Sequence, residues 1–166
     1  ILICHYTKLT DRKKHMENEL KKINQPYSYK YIDNYDQENL NKNLIQKYFN
    51  NTEKEWINRT SFLKTNNNYK KLKRSEMSLI LKHCNCYSFI ISKKLQYAII
   101  LEDDVEISDI FLKNINEVLK DKRDWDIIWL GTEINHNIIM DDDSKIQKSF
   151  HPSSHYSWAY IISNNA

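Results

Sequence analysis

The stretch Tyr97-Ala-Ile-Ile-Leu-Glu-Asp-Asp-Val-Glu106 decides the fold of this chain. Its apolar part is too short for a buried helix and ends abruptly in three consecutive acids, Glu102, Asp103 and Asp104. A short uninterrupted apolar run is typical of a strand that is covered on both faces, as in a parallel sheet. The stretch therefore predicts a central strand of an α/β sheet.

The acidic triplet lies where open α/β sheets keep their ligands, at the carboxyl end of a strand. Adjacent carboxylates repel one another unless a positive charge neutralises them. A hard divalent cation with oxygen ligands, itself holding a diphosphate, is the usual solution. A solvated turn after the strand is the alternative, because acids are common in turns and so short a motif is weakly specific.

Strand and helix patterns alternate along the rest of the chain. The alternation predicts a single α/β domain, 1–166, with a mostly parallel sheet flanked by helices. The polar, Asn-rich range 36–74 is predicted to form a mobile excursion over the sheet. The predicted strands cover 1–6, 27–32, 97–102, 126–130 and 157–162, and the predicted helices cover 10–23, 40–49, a long stretch from 75, and 108–120.

Two of these helices carry signals for where they begin and which side they bury. Thr10 and Ser75 are predicted N-caps, because their hydroxyls can accept from the first free backbone N–H groups. In the second helix one set of residues recurs at helical spacing and is predicted to face the core. This set is Met77, Ile80, Cys84, Tyr87 and Ile91.

Composition narrows the class of protein. The chain has 166 residues with 40% hydrophobic and 28% charged residues, which fits a globular domain with a sizeable core. A net charge of +3 does not indicate nucleic-acid binding. No segment approaches the roughly 20 apolar residues of a membrane span. A cytoplasmic location is favoured, with the ER or Golgi lumen as the alternative if an upstream signal exists. The three cysteines do not form a disulfide framework.

Five short blocks of the sequence occur in a recognisable order. They are Tyr6-Thr-Lys-Leu-Thr-Asp-Arg12, Arg74-Ser-Glu-Met-Ser-Leu-Ile-Leu-Lys-His83, Ile99-Ile-Leu-Glu-Asp-Asp-Val105, Trp125-Asp-Ile-Ile-Trp-Leu-Gly131 and Ser157-Trp-Ala-Tyr-Ile-Ile-Ser163. The blocks resemble, in this order, the motifs of family 25 glycosyltransferases: NL-x-x-x-x-DR, GEIGCxLSH, an acidic strand end, DxIYLG and GxxAYVIS. That family includes lipooligosaccharide and procollagen galactosyltransferases. Five blocks in order are far more specific than any one of them.

The chain departs from the family pattern at several positions. His5 occupies the usual Asn position, Arg74 and Ser78 replace glycines, and Lys82 replaces a Ser. Family members also continue beyond the position of Ala166 into a segment with further acids. We therefore expect that part of the acceptor side and the catalytic base lie outside this sequence, and no residue is assigned as the base.

The resemblance implies a GT-A fold, a UDP-sugar donor, Mn²⁺ dependence and inversion at the anomeric carbon. The transferred sugar is then a hexose, with galactose or glucose favoured, and the acceptor is a protein hydroxylysine or a glycan. In the D-x-D pattern of GT-A enzymes the outer acids point the same way, because strand side chains alternate. We therefore expect Asp104 to bind the cation directly, with Glu102 on the ribose or a metal-bound water. Asp103 takes part if a turn begins inside the triplet.

Further positions are predicted to contact the donor from neighbouring elements. Residues after the first and second strands lie on the same ligand-binding edge, and a glycine after a later strand would let a sugar approach closely. Each of these positions also has an alternative interpretation, as a solvated charge, a turn residue or a hydrogen-bonded core histidine. The predicted donor-binding residues are Thr7, Lys8, Arg12, Asp33, Glu76, His83, Glu102, Asp103, Gly131 and Thr132.

Two other classes of function remain open at this level. A non-catalytic GT-A-like domain would bind nucleotide-sugar or serve only as an interaction module. A phosphate-handling protein of the response-regulator type also gathers acids at strand ends, but it expects them at several strand tips and a lysine late in the chain. Here the acids are contiguous and the last strand ends in Ser163-Asn-Asn165, so this class ranks low.

Overall fold

A computed structural model describes residues 1–24, 26–49, 72–120, 125–130 and 158–166 of the chain. Within these ranges strands alternate with helices, as the sequence predicts. The strands are β1 (Leu2–Cys4), β2 (Lys30–Ile32), β3 (Tyr97–Glu102), β4 (Ile127–Trp129) and β5 (Ala159–Ser163). The α-helices are α1 (Thr10–Lys21), α2 (Lys42–Phe49), α3 (Arg74–Lys93) and α4 (Phe111–Val118), and a short 3₁₀ helix covers Gln37–Asn39.

The described strands form one mixed sheet in the order β2-β1-β3-β5-β4. β1 pairs in parallel with β2 and with β3, whereas β5 is antiparallel to both β3 and β4. β1 to β4 therefore run in one direction and β5 in the other. The predicted α/β class with a mostly parallel sheet is confirmed, and β5 is the strand that departs from the parallel pattern.

Both faces of β3 are buried, which explains its apolar run. On one face Ile100 packs with Leu2 against Cys86 of α3. On the opposite face Leu101 packs with Ile3 and other apolar residues. Ile3, Ile100 and Cys86 are each 0% exposed. The carboxyl ends of β1, β2 and β3 meet at one edge of the sheet because these strands are parallel.

The start of the range 36–74 packs against α3. Leu40, Met77 and Leu81 form a small buried cluster, and apolar residues of α2 pack onto it. Residues 50–71 lie outside the described residues, so the predicted excursion over them stays a prediction.

The predicted helix starts and the predicted buried side of α3 are wrong in detail. Leu9 and Lys73, not Thr10 and Ser75, occupy the N-cap positions. On α3, Ile80 and Ile91 are exposed. The side that faces the core is instead formed by Met77, Ser78, Leu81, Lys82, His83, Cys86 and Ile90. Three of these are polar, so apolar periodicity alone pointed to the wrong phase of the helix.

None of the described helices is both long enough and apolar enough to span a membrane.

Candidate functional site

The acidic triplet spans the end of β3 and the turn that follows. β3 ends at Glu102, and Asp103 and Asp104 already belong to the turn. The strand alternation that was expected to point Glu102 and Asp104 the same way therefore does not continue through the triplet. The two aspartates differ sharply in environment: the side chain of Asp103 is 8% exposed and that of Asp104 is 44% exposed.

Asp103 is held by three donors from the segment after β1. His5 Nδ1 lies 2.8 Å from Asp103 Oδ2, and the backbone N–H of Tyr6 donates to the same oxygen at 3.3 Å. Arg12 donates from Nη1 to Asp103 Oδ1 at 3.0 Å. Both oxygens of this buried carboxylate are thus engaged, which fixes the turn after β3 to β1 and α1. An ionised carboxylate only accepts hydrogen bonds, so His5 donates through Nδ1–H.

Arg12 bridges the two aspartates. Its Nη1 also donates to Asp104 Oδ2 at 2.8 Å. The hydrogen bond to Asp103 and the charge of both aspartates raise the pKa of Arg12, so the guanidinium stays charged. One positive charge thus faces two negative ones, and Asp104 remains the accessible member of the pair.

Glu102 lies on the opposite side of the strand end from this bridge, next to His83 of α3. Glu102 Oε1 is 3.8 Å from His83 Nε2, and the other ring nitrogen of His83 bonds to the hydroxyl of Tyr160 at 2.7 Å. The structure thus brings predicted site residues of β3 and α3 together. Tyr160, which is not among the residues predicted for the site, connects them to β5.

The loop between β1 and α1 is fastened to the segment after β2. Thr7 donates its backbone N–H and its hydroxyl to Asp36, and Lys8 forms an ion pair with Glu38 at 2.9 Å. The hydroxyl of Tyr6 also donates to Glu38. Thr7 and Lys8, both predicted donor contacts, therefore have protein partners that hold the loop beside the acidic turn.

Asp36 is itself held by a buried lysine. Lys82 Nζ lies 2.7 Å from Asp36 Oδ1 and donates to the Asn34 carbonyl at 2.8 Å. Burial by itself raises the pKa of Asp36, but Lys82 and Thr7 outweigh it and leave the pKa below its usual value. Tyr35, just before it, has φ of 64°, a left-handed conformation that is uncommon for a non-glycine residue. These contacts fix the segment after β2 to α3.

The remaining predicted positions are not gathered with this group. Glu76 is exposed and its carboxylate accepts from the backbone N–H of Lys73, so it caps its own helix. It does not share the buried side of α3 with His83. Asp33 is exposed just after β2. Gly131 and Thr132 lie outside the described residues.

A cleft of about 600 Å³ opens beside Asp104. Trp158, just before β5, and Phe111, at the start of α4, line it together with polar residues that include Asn114 and Glu106. Aromatic rings beside hydroxyl- and amide-binding groups are the chemistry that suits a sugar ring, because sugars pack their apolar faces on aromatic side chains.

The described residues fit a cation that is held jointly with a ligand. Across these ranges no group of three or more His, Cys, Asp or Glu side chains is assembled to hold a metal. Asp103 is committed to its three donors, whereas Asp104 offers an accessible carboxylate. One or two carboxylates together with phosphate oxygens are a common set for Mg²⁺-like ions in nucleotide sites. The donor set is therefore compatible with a cation that arrives with a diphosphate.

Comparison with known protein families assigns the chain to one of them. The model of a family described as Glycosyltransferase family 25 (LPS biosynthesis protein) matches residues 1–165. The chain belongs to glycosyltransferase family 25. The acidic end of β3, the α3 histidine and the β5 strand of this family 25 member thus lie within a match that covers nearly the whole chain.

Individual relatives match a shorter part of the chain. Procollagen galactosyltransferase 1-B of Xenopus laevis is 35% identical over 66 residues, which are 37% of this chain and 11% of that protein. A Rattus norvegicus protein named "Probable inactive glycosyltransferase 25 family member 3" is 30% identical over 66 residues, or 37% of this chain and 12% of that protein. Procollagen galactosyltransferase 1 of Danio rerio is 29% identical over 66 residues, again 37% of this chain and 11% of that protein. The match spans only a small part of each relative's length.

Proposed function

We propose that this family 25 member transfers a hexose from a UDP-sugar to a hydroxyl group of a protein or glycan acceptor. Its membership of the family supports glycosyl transfer as the reaction class. The single structural observation that carries the proposal is the turn after β3, where the accessible Asp104 lies beside the guanidinium of Arg12. Galactose is favoured because relatives are named procollagen galactosyltransferases, and the family resemblance makes hydroxylysine a candidate protein acceptor.

The reaction makes one bond and breaks one at the anomeric carbon. The acceptor oxygen bonds to that carbon, while the bond from the carbon to the β-phosphate oxygen breaks. A general base receives the hydroxyl proton, and UDP leaves with the bonding electrons. A single displacement of this kind inverts the configuration. The departing diphosphate gains negative charge, so groups that stabilise this charge lower the barrier.

The residues around the turn after β3 can stabilise the negative charge of the departing diphosphate. Arg12 carries five N–H donors in a planar fork, which suits phosphate oxygens, and its two contacts to Asp103 and Asp104 both use Nη1. A Mn²⁺ ion, when bound, supplies Lewis-acid stabilisation of the departing diphosphate. Asp104 would hold it directly, whereas Glu102, on the other side of the strand end, would contact the ribose or a metal-bound water. The parallel strands β1, β2 and β3 agree with the GT-A arrangement that the resemblance implies, with the donor at their carboxyl ends.

Hydrolysis of the donor to water tests the proposal without knowledge of the acceptor. The chain is incubated with UDP-galactose and UDP-glucose, with Mn²⁺ or with EDTA, and UDP release is measured. We expect release only with Mn²⁺, and loss of release in Asp104→Asn. Asp109→Asn, an exposed acid on the same connection, is the matched control and should keep it. Equal release in EDTA would contradict the metal role, and failure to bind or turn over any UDP-sugar would contradict the proposed function.

A second candidate is a non-catalytic domain that binds nucleotide-sugar or a partner. The rat relative named as probably inactive supports it. Intact UDP binding without sugar transfer in the same panel would favour this candidate over the enzyme.

A further inference from the structure

A chain of polar side chains runs from α3 through β5 to the acidic end of β3. The hydroxyls of Tyr87 and Tyr160 are 2.9 Å apart, and the Tyr160 hydroxyl is 2.7 Å from His83 Nδ1. The rings of His83 and Tyr160 also stack, with centroids 5.7 Å apart. At the far end His83 Nε2 lies 3.8 Å from Glu102 Oε1. This series of side chains thus ends at an acid of the predicted donor site.

Two orders of donor and acceptor can be drawn along these side chains, and they place the ring proton of His83 on different nitrogens. Burial raises the pKa of Tyr160 far above its usual value, and burial also raises that of Tyr87, so both hydroxyls keep their protons. If Tyr87 donates to Tyr160, then Tyr160 donates to Nδ1 of His83, and the ring proton sits on Nε2. The reverse order places a bare Nε2 lone pair opposite the Glu102 carboxylate, which is repulsive. The first order is therefore favoured.

The Nε2 atom of His83 lies at the inner end of this series of hydrogen bonds. The residue is 7% exposed, and Nε2 is buried with no hydrogen-bond partner among the residues that the structure describes. Buried polar groups in proteins are nearly always bonded, so an unbonded one calls for a partner. Glu102 Oε1 is the acceptor that faces it. The gap of 3.8 Å must close by about 1 Å to form that bond.

We propose that His83 is the positioning residue for Glu102. The Tyr160 hydroxyl holds the imidazole in its Nε2–H form, and this N–H takes one oxygen of Glu102 when the donor nucleotide binds. The second oxygen of Glu102 is then held toward the nucleotide and its cation. The ligand in this proposal rests on the proposed function, whereas the form of the imidazole rests on the geometry alone. Hydrogen bonds from outer residues likewise fix the orientation of side chains that bind metals.

Nitrogen NMR of the imidazole tests the first step without any ligand. The chain has six histidines, and His83→Asn identifies the His83 signals by their loss. We expect the wild-type shifts of the Nε2–H form, and a mixture of forms in Tyr160→Phe, which keeps the ring but removes the hydroxyl. Tyr97→Phe, an exposed tyrosine on β3, is the control and should leave the His83 signals unchanged. A proton on Nδ1 in the wild type would overturn the proposal.

A double-mutant cycle tests the second step. UDP affinity in Mn²⁺ is measured calorimetrically for wild type, Tyr160→Phe, Glu102→Ala and the double variant. We expect Tyr160→Phe to weaken UDP binding by about tenfold in the presence of Glu102 and to have no effect in the Glu102→Ala background, which has no side-chain acceptor for Nε2–H. Equal losses in both backgrounds would overturn the proposal, because a merely structural hydroxyl acts regardless of Glu102.

The two measurements separate this proposal from the proposed function. If UDP does not bind to the wild-type chain, the proposed function fails, while the NMR result still decides whether His83 presents Nε2–H to Glu102. If Tyr160→Phe does not fold by circular dichroism, Tyr87→Phe replaces it in both experiments, because it removes the outer hydroxyl of the same chain at a partly buried position. The same directions are expected for Tyr87→Phe with smaller effects, because the Tyr160 hydroxyl still bonds to His83 Nδ1 in that variant.

Discussion

The two faces of the central sheet are built from different chemistry. The face toward α1 and α4 is lined by apolar side chains such as Ile3, Met16 and Ile161, each 0% exposed. The face toward α3 combines apolar residues with buried charges and hydrogen-bonded hydroxyls. Among the buried polar side chains of the described residues, Ser78, Lys82 and His83 lie on α3, Asp36 pairs with α3, His5 and Asp103 lie at the strand ends, and Glu19 lies on α1.

The two faces of the sheet differ in whether their contacts fix the geometry of the site. Burial of apolar area is non-directional, so the α1 and α4 face contributes free energy of unfolding without fixing a particular geometry. Hydrogen bonds and ion pairs are directional, and those on the α3 side end at the acidic turn and at the loop after β1. Substitutions on the α1 and α4 face should therefore lower stability alone, whereas substitutions on the α3 side should lower stability and also disturb the site.

The largest expected loss of stability comes from the buried ion pair on the α3 side. Asp36→Asn leaves the Lys82 ammonium, 2% exposed, without its counter-charge. Breaking one partner of a buried pair typically costs about 3–5 kcal/mol. We expect a decrease of this size in the free energy of unfolding, measured by urea denaturation at pH 7. Asp33→Asn, an exposed acid on the same connection, is the control and should change it little.

The same pair predicts a pH dependence. Because the pKa of Asp36 is lowered in the folded chain, its contribution is present above the unfolded pKa of about 3.9 and is lost as the pH falls through the folded pKa. The wild type should therefore lose stability in this acidic range more steeply than Asp36→Asn. Parallel stability curves below pH 4 would contradict the ion pair.

The next largest effect should distinguish the two adjacent aspartates. Asp103→Asn weakens the acceptor for His5 and Arg12 and should cost about 1–3 kcal/mol of unfolding free energy. Asp104→Asn removes an exposed charge and should stay within about 0.5 kcal/mol of wild type. Thermal and urea unfolding of the two variants measure the difference. Equal losses would mean that the contrast in burial does not govern their roles.

The smallest effect concerns the apolar face. Ile161→Val removes one buried methyl group and should cost about 1 kcal/mol of unfolding free energy, with UDP affinity unchanged. Ile127→Val, at a position that is 41% exposed, is the matched control and should cost less. A change in UDP affinity in Ile161→Val at unchanged folding would show that this face also shapes the site.

The sequence predicts the parts of the fold that depend on local patterns. The apolar run before Glu102 predicts β3, and the alternation of elements predicts the sheet. The ties that shape the site are non-local: His5 bonds to Asp103 across 98 positions, and Lys82 bonds to Asp36 across 46. No periodicity links such pairs. The buried side of α3 was misread for the same reason, because its polar residues are buried only through partners on other elements.

The sequence contains two features that agree with these buried pairs but do not identify the partners. His5 and Lys82 depart from the family motifs, and both are buried with an aspartate partner. Ser78, Lys82 and Cys86 also recur every four residues, which marks one side of a helix. The exposure of Asp104, in contrast, depends on the residue at which the turn after β3 begins. If the turn began one residue earlier or later, a different acid of the triplet would be accessible.

The affinity for UDP with and without Mn²⁺ tests most directly the claim that the acidic turn is a donor site. Titration calorimetry is run in Mn²⁺ and in EDTA on wild type, Asp104→Asn and the Asp109→Asn control. We expect wild type and the control to bind UDP at least about tenfold more tightly in Mn²⁺, which is 1.4 kcal/mol, and Asp104→Asn to lose this gain while its melting temperature stays unchanged. Equal affinity for UDP in both buffers in the wild type would contradict the claim.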